Sequence, residues 1–244
     1  MKRSFYALFM AALLISMTEV STASTLVKIL KSKRFQGDER NVSGFKGISS
    51  SGSYDLKITM GNRESLRLEG DDDVIKEIET VVENGILKIR NRKHTNRSWR
   101  MTRGKVTIYI TAKALNSITL SGSGDISVKG TVKADQLTNT LSGSGSISLT
   151  ADADDYIGTI SGSGEIEVRG RTDKATIKIG GSGDFEGRDF KTSEAEVKIS
   201  GSGNASITAE KNLNAAVSGS GNITYSGDPK VSKSKSGSGS ISRL

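Results

Sequence analysis

The sequence predicts an all-β protein built as a β-solenoid, on the evidence of a repeated turn, its spacing and its flanks. The core S/G-G-S-G occurs seven times, with its first glycine at intervals of 21, 19, 19, 20, 18 and 18 residues. Apolar and polar residues alternate on both sides of each core, which is the period of a strand with one buried face. Each unit is therefore predicted to contain two short strands, and it has too little apolar surface to fold alone. We therefore expect the units to stack as rungs about 4.8 Å apart.

Glycine is expected at the turns because it tolerates positive φ and lets successive backbones approach closely. The serines between the glycines can line one corner of the stack. The glycines assigned to this structural role are Gly122, Gly124, Gly143, Gly145, Gly162, Gly164, Gly181, Gly183, Gly201, Gly203, Gly219 and Gly221.

A run of β-hairpins in a sandwich or barrel would show the same alternation, but the near-constant repeat length favours the solenoid. The last repeat carries Val231, Lys233 and Lys235 where earlier repeats carry apolar residues. Charged residues on a terminal rung block edge-to-edge pairing, so this departure is typical of the end of a stack.

Residues 45–120 precede the repeats of residues 121–244 and lack the full turn sequence. The acidic run that begins at Asp71 comes before Val74 and Ile75, which predicts a short, capped helix. The pair Asn84-Gly85 between two apolar runs predicts a β-hairpin. We expect this half to be β-rich, with one short helix, and to seal the first rung.

The N-terminus is typical of a secretory signal peptide over residues 1–23. Lys2 and Arg3 precede an apolar stretch that is too short to span a bilayer comfortably, and small residues follow it. Residues 24–44 form a polar lead-in, and the solenoid domain is assigned to residues 45–244. An uncleaved anchor helix is the alternative; no other segment is predicted to cross a membrane.

Composition narrows the function. There is no cysteine, which excludes disulfides, thiolate metal sites and cysteine nucleophiles. The net charge of +8 favours, for an exported protein, an anionic polysaccharide, lipopolysaccharide or membrane surface over nucleic acid. We expect no cofactor. Contacts between the exposed ends of two copies leave a homo-oligomer open.

Residues 88–105 contain many basic residues, one tryptophan and no acid. Arginine can bind carboxylate or phosphate groups in a bidentate manner, and an aromatic ring can stack on a sugar. The alternative is a solvated hairpin loop whose charge aids solubility. The candidate ligand-binding residues are Arg90, Arg92, Lys93, Arg97, Trp99, Arg100 and Arg103.

No metal site and no catalytic residue are predicted. The turn at Gly181 resembles a calcium-binding nonapeptide, but its aspartate is one position early and only three of the seven repeats have an acid there. Glu165, Glu167 and Glu186 would be the acids of a polysaccharide-cleaving β-helix, although charge ladders on the surface are the simpler interpretation of these residues and are favoured. His94 is the only histidine, which argues against a histidine-based triad.

Taken together, Phe45-Lys-Gly-Ile48, the following Ser51-Gly52-Ser53, the Asn84–Ile89 hairpin and the repeated turns resemble the auto-transporter adhesin head domains called the head GIN domain. The resemblance covers about residues 41–244. It implies a right-handed, single-stranded β-helix and an exported protein of a Gram-negative envelope, in the periplasm, at the cell surface or outside the cell. We expect adhesion or anionic-glycan binding. A purely structural role is the first alternative, and a carbohydrate-active enzyme the second.

Overall fold

The computed structural model describes residues 37–92 and 105–244, and the predicted signal peptide and most of the lead-in lie outside this part of the chain. The described residues form sixteen strands and one short helix, α1 (Asp72–Glu77). The strands are β1 (Asp38–Arg40), β2 (Gly47–Gly52), β3 (Asp55–Met60), β4 (Ser65–Gly70), β5 (Ile78–Glu83), β6 (Ile86–Asn91), β7 (Val106–Ala112), β8 (Ser117–Gly122), β9 (Asp125–Gly143), β10 (Ser146–Gly162), β11 (Glu165–Gly181), β12 (Asp184–Gly201), β13 (Asn204–Gly219), β14 (Asn222–Ser226), β15 (Lys230–Ser236) and β16 (Ser240–Arg243).

These strands wind into a β-solenoid of about seven turns, as the repeat predicts. Face A contains the strand segments that follow each turn, in the order β1-β4-β7-β3, then the first parts of β9 to β13, then β14 and β16. Face B contains the segments that precede each turn: β5-β6-β2-β8, then the last parts of β9 to β13, then β15. Successive rungs pair in parallel, which excludes the hairpin alternative.

Each central rung is one long strand rather than the two short strands expected from the sequence. Strand β10, for example, pairs with β11 from Ser146↔Glu165 through Ala153↔Thr172 to Gly162↔Gly181. The other central pairs also continue around the bend, but with a shift of register in mid-strand. The rungs therefore follow one another around the bend although they differ in length by up to three residues.

The turns show why glycine is required. Ser144 N–H donates to Gly122 O at 3.0 Å, and Ser163 N–H donates to Gly143 O at 2.9 Å. Gly181 has φ +123°, and a Cβ added there would lie 2.6 Å from Gly162 O. Each turn therefore rests directly on the backbone of the turn before it.

The core is a narrow column of apolar side chains between faces A and B, with one buried polar pair. Asn139 Nδ2 donates to the hydroxyl of Tyr156 at 3.0 Å, and both side chains are buried. The Tyr156 ring meets Phe190 edge-on at 5.0 Å and Phe185 at 6.1 Å. Burial raises the pKa of Tyr156 far above its ordinary value, so this phenol stays protonated while the core is intact.

The N-terminal end is closed by α1 and by antiparallel edge strands. Asp71 caps α1 by accepting from Asp73 N–H at 2.9 Å, as its sequence predicts. The guanidinium of Arg40, in β1, donates to Ile78 O at 2.7 Å and to Ile75 O at 3.0 Å. Arg40 thus ties face A to the end of α1 and to face B.

The C-terminal end is closed differently. Lys233 and Lys235 stand in register with Ala215 and Val217 of the preceding rung, in the predicted terminal positions. The ammonium of Lys233 lies 5.2 Å from the centroid of the Tyr225 ring and donates to Ile241 O at 3.1 Å. This one side chain crosses from face B to face A over the last layer of the core.

Candidate functional site

The predicted basic segment is attached at an unusual corner. Strands β6 and β7 form the rung outside β2 and β3, because β6 pairs in parallel with β2 and β7 pairs in parallel with β3. In the central rungs this corner is made by two residues, such as Ser144 and Gly145 between β9 and β10. Here residues 92–105 connect the two strands. Of the candidates, Lys93, Arg97, Trp99, Arg100 and Arg103 lie outside the described residues.

Arg90 is already paired within the fold. Its Nε donates to Glu79 Oε2 at 2.7 Å, and its Nη2 lies 3.7 Å from Glu83 Oε1. Lys88 forms a second pair with Glu83 at 2.6 Å, a hydrogen bond that lowers the pKa of that carboxyl. The hydrogen bond from Arg90 to Glu79 raises the pKa of the arginine. The β5–β6 hairpin therefore compensates much of the charge at the start of the segment.

Arg92 lies at the rim of an open depression of about 400 Å³ at the N-terminal end. Its backbone N–H donates to Glu77 O at 2.8 Å, and its side chain is exposed. Within the described residues its guanidinium pairs with no carboxylate. The depression is lined by Asp38, Arg40, Lys76, Glu79, Thr80 and Arg92.

A further charged group, which sequence reasoning missed, crosses the N-terminal part of face A. We call it the tyrosine row: Lys57 in β3, Tyr109 in β7 and Arg67 in β4, in direct cross-strand register. The Lys57 ammonium is 5.7 Å, and the Arg67 guanidinium carbon 5.1 Å, from the centroid of the Tyr109 ring. No local sequence signal indicates the row because its three strands are distant in the chain.

Four carboxylates form a grid on the central part of face A, where Glu165 is opposite Asp184 and Glu167 is opposite Glu186. Burial raises the pKa of Glu165, and its acidic neighbours add to the rise. Glu167 accepts from Arg169 at 2.5 Å. In the described residues, no cluster of three or more histidine or acidic side chains is arranged to hold a metal ion.

The residue after each turn forms a polar ladder rather than the regular carboxylate set that calcium would need. Ser146 donates to Asp125 at 2.6 Å. Asn204 donates to Asp184 at 2.9 Å, and Asn222 donates to Asn204 at 3.0 Å. These side chains bond to one another along the stack, which explains the mixture of Asp, Asn and Ser at this position.

Comparison with known proteins identifies the family. The family described as "Putative auto-transporter adhesin, head GIN domain" matches residues 44–229. The chain belongs to this family. The resemblance predicted from the Phe45–Ile48 segment, the Asn84–Ile89 hairpin and the turns is thereby confirmed. No curated protein matches the head GIN chain.

Solved structures share this head GIN fold. One described as a "putative adhesin", from Bacteroides fragilis NCTC 9343, is 24% identical over 87% of this chain and 98% of its own, with a TM-score of 0.79. One described as a "putative lipid binding protein", from Parabacteroides distasonis ATCC 8503, is 27% identical over 86% and 96%, with a TM-score of 0.66. A further "putative adhesin" from that organism is 21% identical over 86% and 97%, with a TM-score of 0.70.

The described residues were also compared with the requirements for a membrane-spanning helix. Within residues 37–92 and 105–244, no helix has the length and apolar character needed to cross a bilayer.

Proposed function

We propose that this head GIN protein is an exported, non-catalytic, adhesin-like module of a Gram-negative envelope, and that it binds an anionic surface polymer through residues 88–105. The observation that carries the proposal is the position of this segment. Residues 92–105 stand where the central rungs have a two-residue corner, and the first of them, Arg92, is exposed. In sequence this connection is twelve residues longer than the two-residue corners of the central rungs.

Three further facts support this function. The family is described as "Putative auto-transporter adhesin, head GIN domain", and a protein of the same fold as a "putative adhesin". The first residues are typical of a signal peptide, which matches an envelope location. The net charge of +8 attracts polymers that carry carboxylate or phosphate groups, such as acidic polysaccharide or lipopolysaccharide.

A structural envelope role is the second candidate, and it rests on the pairing of the surface charges. Arg90 is matched by Glu79, Arg169 by Glu167 and Lys198 by Glu196, so much of the surface charge is satisfied within the fold. If the basic segment is compensated in the same way, the protein has no anionic ligand and its role is architectural.

The test measures binding of residues 24–244 to immobilised lipopolysaccharide and polygalacturonate at about 50 mM and about 500 mM NaCl, since salt weakens contacts between charges. Arg92, Arg97, Arg100 and Arg103 are replaced together by glutamine. A control of equal charge change replaces four exposed lysines on other parts of the solenoid: Lys129, Lys174, Lys191 and Lys211.

Four exposed contacts together are worth about tenfold or more in affinity at low salt. The arginine variant is expected to lose that affinity, and the lysine control to keep it. Equal binding by the two variants would show that net charge alone acts. Absence of wild-type binding at low salt would overturn the proposed function and leave the structural role.

A further inference from the structure

The tyrosine row differs from the other aromatic groups of the described residues in being partly exposed to solvent. Among the described residues Tyr109 is the one aromatic side chain that is not buried. Lys57 and Arg67 come from the strands on either side of it, so their charges flank the ring within the range of a cation–π contact. The Tyr109 side chain therefore stands between two positively charged side chains.

Arg67 is held in place by its surroundings. Its Nη1 lies 2.8 Å from Glu69 Oε1, and its guanidinium packs on the Tyr109 ring. Its aliphatic part lies against the backbone of Gly37, where an added Cβ would come 2.8 Å from Arg67 Cγ. A cation fixed in this way loses little conformational entropy when it binds a ligand.

The donors of the row are not all used by the protein. Within the described residues, the Lys57 ammonium pairs with no carboxylate and the Tyr109 hydroxyl has no hydrogen-bond partner. The ion pair with Glu69 occupies only part of the five-donor guanidinium of Arg67. Ammonium, phenol and guanidinium donors therefore remain available side by side.

We propose that the tyrosine row is an oxyanion-binding site, and that its ligand is a carboxylate or phosphate group on an envelope glycan. Lys57 and Arg67 supply charge from two sides, and Tyr109 donates the central hydrogen bond. Charge-assisted hydrogen bonds of this kind suit both anions. Glu69 sets the orientation of Arg67 and limits the net charge of the site.

The tyrosine row adds a second binding site to the proposed function. The identity of its biological ligand rests on that proposed function. Lys105, where the basic segment meets β7, is four residues from Tyr109, or about 13 Å along the strand. One acidic polymer chain can reach both places. Once a polymer is bound at the basic segment, its contact with the tyrosine row is effectively intramolecular. This second contact therefore raises the affinity for the polymer even if it is weak by itself.

The experiment has a small-ligand arm and a polymer arm. Inorganic phosphate and acetate are titrated into residues 24–244 at low salt, with the aromatic NMR signals of Tyr109 assigned by comparison with Y109F. The same proteins are then tested on polygalacturonate, which carries carboxylates, and on lipopolysaccharide, which also carries phosphates. The variants are K57Q and Y109F, with K174Q as a charge-matched control outside the row.

Phosphate or acetate is expected to shift the Tyr109 signals saturably. K57Q is expected to weaken this binding, and wild-type polymer binding, about threefold, whereas K174Q is not. Y109F keeps the ring and its cation–π contacts but removes the hydroxyl. Loss of small-anion binding in Y109F, followed through the backbone amide signals of β3, β4 and β7, therefore separates a ligand role from a packing role. The polymer that loses most binding in K57Q identifies the preferred anion.

Two results would overturn the site: Tyr109 signals that do not respond to either anion, or an equal response in wild type and K57Q. These failures are distinguishable from failure of the proposed function. If polymer binding depends on the basic segment but not on Lys57, the proposed function stands without this site. If small anions bind at Tyr109 but neither polymer is retained, the site stands and the polymer-binding function fails.

Discussion

Alanine at Gly181 is the sharpest test of the turn ladder, because the residue next to it provides a matched control. Gly181 has φ +123°, and an added Cβ would lie 2.6 Å from Gly162 O, closer than real Cβ atoms approach a backbone oxygen. At Gly180 the nearest heavy atom to an added Cβ is Ile160 O at 3.9 Å. In the other turns, serine occupies the position that corresponds to Gly180.

The two alanine substitutions are expected to change the free energy of unfolding in opposite directions. Holding alanine at the φ of Gly181 costs about 1–3 kcal/mol of backbone strain. Forcing the Cβ against the Gly162 carbonyl costs about 1–3 kcal/mol more. Gly181→Ala should therefore destabilise the fold by about 2–6 kcal/mol. Gly180→Ala should stabilise it by about 0.5 kcal/mol, since alanine restricts the unfolded chain.

The assay is urea unfolding followed by far-ultraviolet circular dichroism, with the free energy of unfolding and the slope m determined for wild type and both variants. An unchanged m would show that the variants unfold in the same cooperative manner as wild type. The reasoning is refuted if Gly181→Ala is as stable as wild type, or if Gly180→Ala is equally destabilised. Either result would mean that rung spacing adapts to a side chain at the turn.

Three other predictions concern polar groups. Tyr156→Phe leaves the buried amide of Asn139 without its acceptor and should cost about 1–3 kcal/mol in urea unfolding, whereas leucine at Asn139 in the same background should recover part of this loss. Arg40→Met removes the bonds that tie β1 to α1 and should cost about 2 kcal/mol, seen as faster hydrogen exchange at the N-terminal end before global unfolding. Because the pKa of Glu165 is raised in the fold by burial and by Glu186, the folded state binds this proton more tightly than the unfolded chain. Glu165→Gln should therefore raise the melting temperature at pH 7 and leave it unchanged below the ordinary glutamate pKa; a constant difference at every pH would contradict this.

The repeat half of the fold follows closely from its sequence. Glycines at a near-constant spacing and alternating flanks predict both the rung length and the buried positions, and Lys233 and Lys235 predict the last rung. The continuity of each rung was not predictable from the same pattern. Alternation shows which side chains point inward, but it does not show whether the backbone ladder is interrupted at a bend.

The N-terminal half was predictable only in its local elements. The helix after Asp71 and the turn at Asn84 both have short-range signals, and both are present. The order of the rungs is not local, because β6 and β7 lie outside β2 and β3 although they come later in the chain. Alternating residues fit equally well in any of these positions.

In the candidate site, too, local features were predictable from the sequence and long-range contacts were not. The basic character of residues 88–105 is a property of composition and is visible in the sequence. The pairing of Arg90 with Glu79 could also have been found there, since a two-residue turn at Asn84 and Gly85 sets the register of the hairpin. The tyrosine row could not, because it depends on the long-range pairing of three strands.

The lysine that closes the C-terminal end also makes the length of the protein adjustable. Lys233 covers the last layer of the core and Arg40 lies at the opposite end, so the central rungs take no part in either contact. Removing residues 163–181, for example, would join Gly162 to Ser182 and regenerate the turn sequence. Each rung added or removed moves the far end by about 4.8 Å relative to the basic segment and the tyrosine row. The number of rungs therefore sets the distance between the far end of the solenoid and the residues proposed to bind a ligand.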